Sequence, residues 1–404
     1  MVKNVLIVSY YIGNNFGVGG RRWLKYANQL AVNNYEVHLL STKGNIDYSK
    51  LNHKIHVHEI KSNYPQVLNK VDFNLINKIH YKIILCFLHL TVKGTVYDKA
   101  SRIEKKYLKK LETLIKDYDI KNIIVSGAPF NLMFYTTKII NNNLNLIFDF
   151  RDPWTWGIGY GMQSLSKKRL DFEKQKESIV LGKKAKIISA SNDLKIALDK
   201  KSLYKNRKSK VIINSVDDLT NKFYNNKSTI EDSKIILAHI GTIPLNTEKY
   251  WEHFINFLGT TKLLIECRFY GNNNTSFTKK LKNKRINNTV FYKRLSEDEL
   301  KLELHKAHGA LIFKMDAFTA SFPSKFFDYI RSSLPILCFS KNGEFTNEVE
   351  SNLIGHIFTE KTSHQKMESI ISNLLNDSEK YYSNYNKEKF SVEFNVEALE
   401  KLLE

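Results

Sequence analysis

Short, almost continuously apolar runs alternate with segments of helical spacing along most of this chain. Residues 122–125 and 145–148 are the clearest runs of the first half, and residues 309–313 are one of the second half. Strands that read as continuously apolar are buried on both faces, as they are in parallel sheets covered by helices. The alternation therefore predicts an α/β fold made of doubly wound parallel sheets.

Chain length and a break in the pattern predict two such domains. The 404 residues exceed what one hydrophobic core usually organises. The alternation stops at a polar stretch, residues 225–233, and a second strand–helix series follows it. We predict a first domain at residues 1–225, a second at 226–378, and a C-terminal helix at 379–404 that packs across the domains. Two facing Rossmann-like sheets imply a cleft at the carboxyl ends of their strands.

The cysteines and the lengths of the apolar segments indicate the cellular compartment of the protein. Cys86, Cys267 and Cys338 are far apart and lie in apolar runs, which predicts buried reduced thiols instead of disulfides or a zinc site. The apolar run at residues 5–8 has the length of a strand and leads into a glycine-rich loop, unlike a signal peptide. No window reaches the roughly 18 apolar residues of a membrane-spanning helix. We expect a cytoplasmic protein.

A formal net charge of +21 suits nucleic acid, an anionic membrane or an acidic substrate. Zinc-finger spacing, an RNP-like run and basic-zipper heptads are all missing, so specific nucleic-acid binding is not expected. Residues 64–110 mix apolar bulk with Lys, Arg and His. Two interpretations of this insertion stay open: an element that lies on an anionic membrane surface, or a pair of core helices covering the sheet.

A glycine-rich stretch, residues 11–20, follows the strand predicted at residues 4–9 and precedes a helical pattern that begins at Arg21. Glycines allow backbone N–H groups to approach a ligand, and a helix start favours negative charge. Gly19 and Gly20 are therefore candidates for contact with an anionic group. The spacing fits neither a dinucleotide fingerprint with its later acid nor a Walker loop.

The run Asp149 to Trp154 reads Asp-Phe-Arg-Asp-Pro-Trp and follows a predicted strand, at the edge where ligands of such sheets bind. Carboxylates accept hydrogen bonds from sugar hydroxyls, and aromatic rings stack on the apolar face of a sugar. Asp149, Arg151, Asp152 and Trp154 are therefore candidate sugar-binding residues. The alternative is an Arg–Asp ion pair that holds a turn, with tryptophans as packing.

The run Pro323 to Tyr329 follows the strand at 309–313 and predicts a helix with Pro323 at its first position. Ser324, Lys325 and Asp328 share one face of that helix. A helix start with a lysine and a following aspartate suits the diphosphate and ribose of a nucleotide. The alternative is a Lys325–Asp328 ion pair on a solvated face.

The order of these pieces resembles the retaining glycosyltransferases of family four (the group 1 type), which have the GT-B architecture of two facing Rossmann-like domains. The resemblance spans nearly the whole chain and rests on the Gly-Gly loop, on 149–154, 189–191, 214–218, 241–242 and 270–271, and on 323–329. It implies a transferase without metal or other cofactor. The donor would be a nucleoside-diphosphate sugar, and the acceptor a hydroxyl of a glycan or lipid-linked glycan.

The resemblance also implies roles for individual residues, with Asp152 and Lys325 as the catalytic pair. The residues expected to bind the donor nucleotide and diphosphate are Gly19, Gly20, Gly241, Thr242, Ser324, Lys325 and Asp328. Those expected to bind sugar or acceptor are Arg21, Asp149, Arg151, Asp152, Trp154 and Ser321. One departure concerns the first of two acids that the family often carries, because the matching position is Ala320. Asp316 is a candidate replacement.

We therefore expect a hexosyl- or N-acetylhexosaminyl-type transferase of cell-surface polysaccharide biosynthesis, such as capsule or lipopolysaccharide, acting in the cytoplasm with peripheral contact to an anionic membrane. Two alternatives remain. A GT-B-like nucleotide-sugar 2-epimerase would form an epimer from donor alone. A non-catalytic basic protein would bind polyanions in a salt-dependent manner without binding nucleotide.

Overall fold

The computed structural model describes residues 3–13, 17–69, 75–139, 143–157, 161–204, 207–216, 234–272, 274–316, 322–375 and 380–404. The chain forms two compact units, Met1–Ser215 with Val392–Glu404, and Val216–Ser391. The boundary predicted at 225–226 and the polar stretch 225–233 lie outside the described residues. We call the two parts unit 1 and unit 2.

Unit 1 contains a seven-stranded sheet in the order β3-β2-β1-β4-β5-β6-β7, and every pairing in it is parallel. Its elements, in chain order, are β1 Lys3–Val8, α1 Gly17–Val32, β2 Tyr35–Thr42, β3 His56–Ile60, α2 Leu75–Thr91, α3 Glu104–Asp117, β4 Asn122–Gly127, α4 Asn131–Thr136, β5 Asn145–Phe150, α5 Lys167–Gly182, β6 Lys186–Ser189, α6 Asn192–Lys201 and β7 Ser209–Val211. The strand order reverses between β1 and β4, as it does in doubly wound sheets.

Unit 2 contains a six-stranded parallel sheet in the order β10-β9-β8-β11-β12-β13. Its elements are β8 Ile235–Ile240, α7 Glu248–Leu258, β9 Ile265–Tyr270, α8 Thr275–Asn283, β10 Thr289–Tyr292, α9 Glu297–His305, β11 Gly309–Phe313, α10 Ser324–Arg331, β12 Ile336–Phe339, α11 Glu344–Ser351, β13 Gly355–Phe358 and α12 His364–Ser372. A capping box forms at the start of α9, where Ser296 and Glu299 exchange hydrogen bonds. The doubly wound α/β architecture predicted for both halves is confirmed.

The last helix, α13 (Val392–Leu403), belongs to unit 1. Its residues Val396 and Leu399 are fully buried in the same core as Trp23 and Leu30 of α1. The Leu402 carbonyl accepts hydrogen bonds from the side chains of Asn145 (2.8 Å) and Lys186 (2.5 Å). The C-terminus therefore closes the core of unit 1.

The insertion predicted at residues 64–110 contains α2 and α3, and the two helices differ. Helix α3 buries Tyr107, Leu111 and Leu114, as a helix covering a sheet does. Helix α2 buries Leu88 in a small cluster with Tyr64 but leaves much of its apolar surface exposed. None of the described helices is long and apolar enough to cross a membrane.

The three cysteines do not share one environment. Cys267 and Cys338 are buried in unit 2, as expected, whereas Cys86 is exposed on α2. The prediction for Cys86 was wrong because apolar neighbours in sequence indicate a core only when the helix face that carries them is covered.

Candidate functional site

The sheet of unit 2 reverses its strand order between β8 and β11, and ligands of such sheets bind outside the carboxyl ends of the strands at that point. Strand β8 ends at Ile240, and Gly241 turns the chain with a φ of +71°, a conformation that favours glycine. The N–H of Gly241 donates to the Tyr270 carbonyl (2.8 Å). Gly241 and Thr242 are both exposed, so their backbone is open to a ligand at this edge.

Helix α10, which follows β11, is fixed to the same edge. The Tyr329 hydroxyl accepts a hydrogen bond from the Ile240 N–H (2.9 Å), which ties the helix to the end of β8. Phe326 is fully buried among Phe322, Phe345 and Phe390. Burial of one such side chain contributes about 1.5–3 kcal/mol. The helix position is therefore held by apolar packing, independently of its polar residues.

Lys325 lies against His239, a fully buried residue of β8. The Lys325 Nζ is 3.0 Å from His239 Nε2, and His239 Nδ1 is 3.0 Å from the Leu311 carbonyl oxygen. Because a carbonyl can only accept, Nδ1 carries the ring proton and Nε2 accepts from the lysine. Burial keeps the pKa of His239 well below its ordinary value, so the ring is neutral. The histidine therefore orients Lys325 without neutralising it.

The ammonium group of Lys325 loses its proton near neutral pH. Burial lowers its pKa from 10.5 to about 7, because the charged ammonium is poorly solvated there. No ion pair to Lys325 is found within the described residues. An anion bound at this edge would restore the full positive charge. The backbone of Gly241 and Thr242 also lies against the His239 ring, so turn, histidine and lysine form one group.

The remaining predicted residues of unit 2 are placed as follows. Ser324 is exposed and begins α10, whereas Pro323 is the N-cap and not the first helical residue as expected. Asp328 is half-buried one turn further along. Ser321 lies outside the described residues. Asp316, the candidate replacement acid, accepts hydrogen bonds from Lys249 (2.7 Å) and Tyr250 (2.5 Å).

In unit 1, the predicted glycine loop is partly helical. Helix α1 begins at Gly17, four residues before the predicted start, so Gly19 and Gly20 lie in its first turn. A Cβ on Gly19 would lie 1.4 Å from Nη1 of Arg151. Arg151 is held there by hydrogen bonds from Nε to the Gly127 carbonyl (2.9 Å) and from Nη2 to the Ala128 carbonyl (3.3 Å). A side chain at position 19 would therefore force the guanidinium of Arg151 to move.

The structure gives Asp149 a role different from the predicted one. Its carboxylate is fully buried and lies 3.1 Å from Nη2 of Arg22, which is also buried. Trp23 Nε1 (2.9 Å) and Ser126 Oγ (2.8 Å) donate to the same carboxylate. The expectation of sugar binding by Asp149 is at odds with this burial. Arg22 joins α1 to β5, and the neighbouring Arg21 is half-buried.

Trp154 is likewise a packing residue. It is fully buried, stacks on Phe130 with ring centroids 5.0 Å apart, and donates from Nε1 to Glu173 of α5 (3.0 Å). The expectation that its ring stacks on a sugar is at odds with this position. Thr155 adds a hydrogen bond to Glu177 (2.6 Å). The contacts to α5 fix the loop that carries Arg151 and the half-buried Asp152.

Sequence reasoning did not single out His239 or Arg22. A signal for His239 was present, because a histidine interrupts the otherwise apolar run 235–240. Arg22 is one of two adjacent arginines, and only the rotation of α1 decides which of them points inward.

The fold is that of several solved glycosyltransferases. A glycosyltransferase from Rickettsia africae ESF-5 matches with a TM-score of 0.67 and 15% identity, over 100% of this chain and 98% of that one. TarM matches with a TM-score of 0.65 and 14% identity, over 100% and 99% of the two chains. Anabaena HepE, solved in complex with UDP and glucose, matches with a TM-score of 0.63 and 12% identity over 99% of each. No protein-family model and no curated protein sequence matches the chain. The chain thus has the GT-B fold, with a doubly wound sheet in each unit.

Proposed function

We propose that this protein is a glycosyltransferase that moves a sugar from a nucleoside-diphosphate sugar to a hydroxyl of a glycan or lipid-linked glycan. The observation that carries the proposal is the group formed by the Gly241–Thr242 turn, His239 and Lys325 at the reversal point of the unit 2 sheet. Similar structures support it: HepE was solved with UDP-glucose, and a TarM variant from S. aureus with UDP and α-GlcNAc-glycerol.

The chemistry of this group fits a diphosphate leaving group. Negative charge develops on the diphosphate as the bond to the sugar breaks. Lys325 and the start of α10 at Ser324, beside the Gly241–Thr242 turn, would stabilise that charge. Asp328, one turn along α10, would accept hydrogen bonds from the ribose. We infer retention of configuration and transfer without a catalytic metal, in keeping with the family that the sequence resembles.

We assign the sugar and acceptor side to unit 1. Its candidate groups are Arg21, Arg151 and Asp152, with Asp152 as the residue next to the acceptor hydroxyl. Gly19 and Gly20 keep the diphosphate-binding role that the resemblance implies. Asp149 and Trp154 act indirectly, by holding the strand end and the loop. A hexose or N-acetylhexosamine donor and a role in capsule or lipopolysaccharide assembly complete the proposal.

The test begins with a thermal-shift panel of UDP, GDP, ADP and CDP, because a bound ligand stabilises the native state by mass action. The nucleotide that raises Tm then selects the donor sugars for an assay of nucleoside-diphosphate release. We expect acceptor-dependent release. Epimer formation from donor alone would favour an epimerase, and polyanion binding without any nucleotide shift would favour a non-catalytic protein.

We further propose that helix α2 seats the enzyme on the inner face of the cytoplasmic membrane. Five large apolar side chains recur every three or four residues along α2 and are roughly half to four-fifths exposed: Ile76, Ile79, Ile83, Phe87 and Leu90. Lys78 and Lys82 of the same helix are exposed. Apolar side chains flanked by lysines are typical of helices that lie in the interface of anionic membranes.

Co-sedimentation with vesicles tests membrane binding through α2. We expect the protein to pellet with phosphatidylglycerol-containing vesicles and to remain in solution with phosphatidylcholine alone. Ile83→Asp with Leu90→Asp should abolish pelleting, whereas Leu203→Asp, at a side chain 75% exposed elsewhere in unit 1, should not. Equal pelleting of both variants would rule out α2 as the membrane element.

A further inference from the structure

A cluster of histidines lies at the β2–β3 edge of unit 1, near the amino ends of these strands. Glu36 and His38 lie two residues apart on β2, so both side chains are on one face of the sheet. His38 pairs with His56 of β3 in the parallel register, and His58 follows two residues later. The four side chains therefore share one face at the edge of the sheet, because β3 is the outermost strand.

Three potential ligand atoms converge within this cluster. One atom each from Glu36, His38 and His56 lie within 4.8 Å of one another. Glu36 Oε1 is 3.5 Å from His38 Nε2 and 3.6 Å from His56 Nε2. In a tetrahedral zinc site with bonds of about 2.0–2.1 Å, neighbouring ligand atoms are roughly 3.4 Å apart. Two of the three separations are thus close to those of a zinc site.

His38 provides an independent indication of a bound cation. The residue is fully buried, yet its Nε2 has no hydrogen-bond partner. Buried polar atoms are nearly always satisfied, so an orphan indicates a missing partner. That partner would be a group lying between His38 Nε2 and the carboxylate of Glu36. A cation satisfies both, because the neutral nitrogen and the carboxylate oxygen each offer a lone pair.

His58 completes the arrangement as a supporting residue. Its Nε2 is 3.1 Å from His38 Nδ1. With the Nδ1–H of His38 donating to His58, the lone pair of His38 Nε2 is free for a metal. Ligating histidines generally donate their second N–H in this way.

We propose that Glu36, His38 and His56 bind a zinc ion, with water as the fourth ligand and His58 orienting His38. The His56 side chain is 50% exposed, so the open position of the site faces solvent. The ion would join edge strand β3 to β2 near the amino ends of these strands, whereas Arg151 follows the carboxyl end of β5 in the same sheet. Its role is therefore structural and separate from sugar transfer.

Zinc binding to the untagged, chelator-treated protein tests the proposal. We expect calorimetry with ZnCl₂ to give one equivalent per chain, together with a rise in Tm. His56→Ala and Glu36→Gln remove partly exposed ligands and should fold normally, but weaken zinc binding about tenfold or more. His58→Ala should weaken it about tenfold while leaving one equivalent at saturation.

His53→Ala is the matched control, because His53 is exposed and lies outside the cluster. It should bind zinc like the wild type. Cobalt substitution adds a readout of geometry, since a four-coordinate site gives intense visible absorption bands. Failure of the wild type to bind zinc, or the same affinity in His56→Ala as in His53→Ala, would overturn the proposal.

Discussion

Unit 1 pairs its buried charges with each other, whereas unit 2 places a lysine beside a neutral histidine. In unit 1, Arg22 and Asp149 form a fully buried ion pair that also binds Trp23 and Ser126. In unit 2, Lys325 lies beside the neutral His239 and has no acidic partner within the described residues. In the first pair, each charge is compensated by the other. The second leaves a positive charge to be completed by a ligand.

We infer from this difference that the ion pair of unit 1 supports the structure, whereas Lys325 of unit 2 serves ligand binding. A buried ion pair gives modest net stability but is costly to break, because the remaining charge is left unpaired. Lys325 is half-buried, and its ammonium group is poorly solvated. Without a carboxylate beside it, this costs stability in the absence of ligand, as the lowered pKa indicates. The comparison predicts that substitutions in the first pair lower the stability of the protein, whereas substitution of Lys325 lowers activity without lowering stability.

The largest effect is expected for Asp149→Ala. It leaves Arg22 buried and unpaired, and should lower the free energy of unfolding by about 3–5 kcal/mol. Urea unfolding followed by tryptophan fluorescence measures this, because Trp23 and Trp154 both lie in unit 1. Asp152→Ala, three residues further along and half-buried, should cost less than about 1 kcal/mol. Equal losses would remove the distinction drawn for unit 1.

The complementary change is Lys325→Met. It should lower transfer about 100-fold, as loss of one electrostatic contact to a developing charge does. Stability should not fall. The folded pKa of about 7 lies below that of an unfolded lysine, so the cost of burying the charge is largest below pH 7 and fades as pH rises. Lys282→Met, at an exposed site of α8, is the control. A loss of less than tenfold would contradict the assignment.

Gly19→Ala tests the contact that unit 1 makes with Arg151. The new Cβ would overlap Nη1, so the guanidinium must move, and we expect activity to fall about tenfold, or ~1.4 kcal/mol in the barrier. Gly182→Ala is the matched control, because the nearest atom to its Cβ is Leu203 Cδ1 at 3.9 Å. Full activity of Gly19→Ala would show that the position of Arg151 is unimportant.

The smallest effect is expected for Asp328→Ala. Loss of a hydrogen bond to ribose, worth ~0.5–1.5 kcal/mol, should raise the KM for donor about three- to tenfold and leave kcat nearly unchanged. Asp298→Ala, at a side chain 95% exposed on α9, should change neither constant. A fall in kcat with unchanged KM would assign Asp328 to the chemical step instead.

Much of the fold could be predicted because apolar runs mark parallel strands directly. The apolar run at 309–313 coincides with β11, and the runs at 122–125 and 145–148 begin β4 and β5, each of which continues for two more residues. The strand Gly355–Phe358 was missed because Gly355 and His356 break its apolar run. The start of α1 was placed too late because glycines disfavour helices. The contact with Arg151, which explains Gly19, is visible only in the structure.

The site was harder to predict, for a physical reason. Polar residues at strand ends are recognisable as candidates, but sequence does not reveal which face of a strand or helix is covered. Asp149 and Trp154 have side-chain types suited to sugars, and the fold buries both. The pairing of His38 with His56 depends on the register of β2 and β3, which only the structure supplies.

The central claim is that Lys325 binds an anionic ligand. Proton uptake on nucleotide binding tests this claim most directly. At pH 8 a lysine with a pKa of about 7 is mostly neutral, and a bound diphosphate should raise that pKa and recharge it. Calorimetric titration with UDP at pH 8, in two buffers of different ionisation enthalpy, measures the uptake. We predict uptake of most of one proton by the wild type, and weaker binding without uptake by Lys325→Met. Binding of UDP without proton uptake, or with equal affinity in Lys325→Met, would contradict the account.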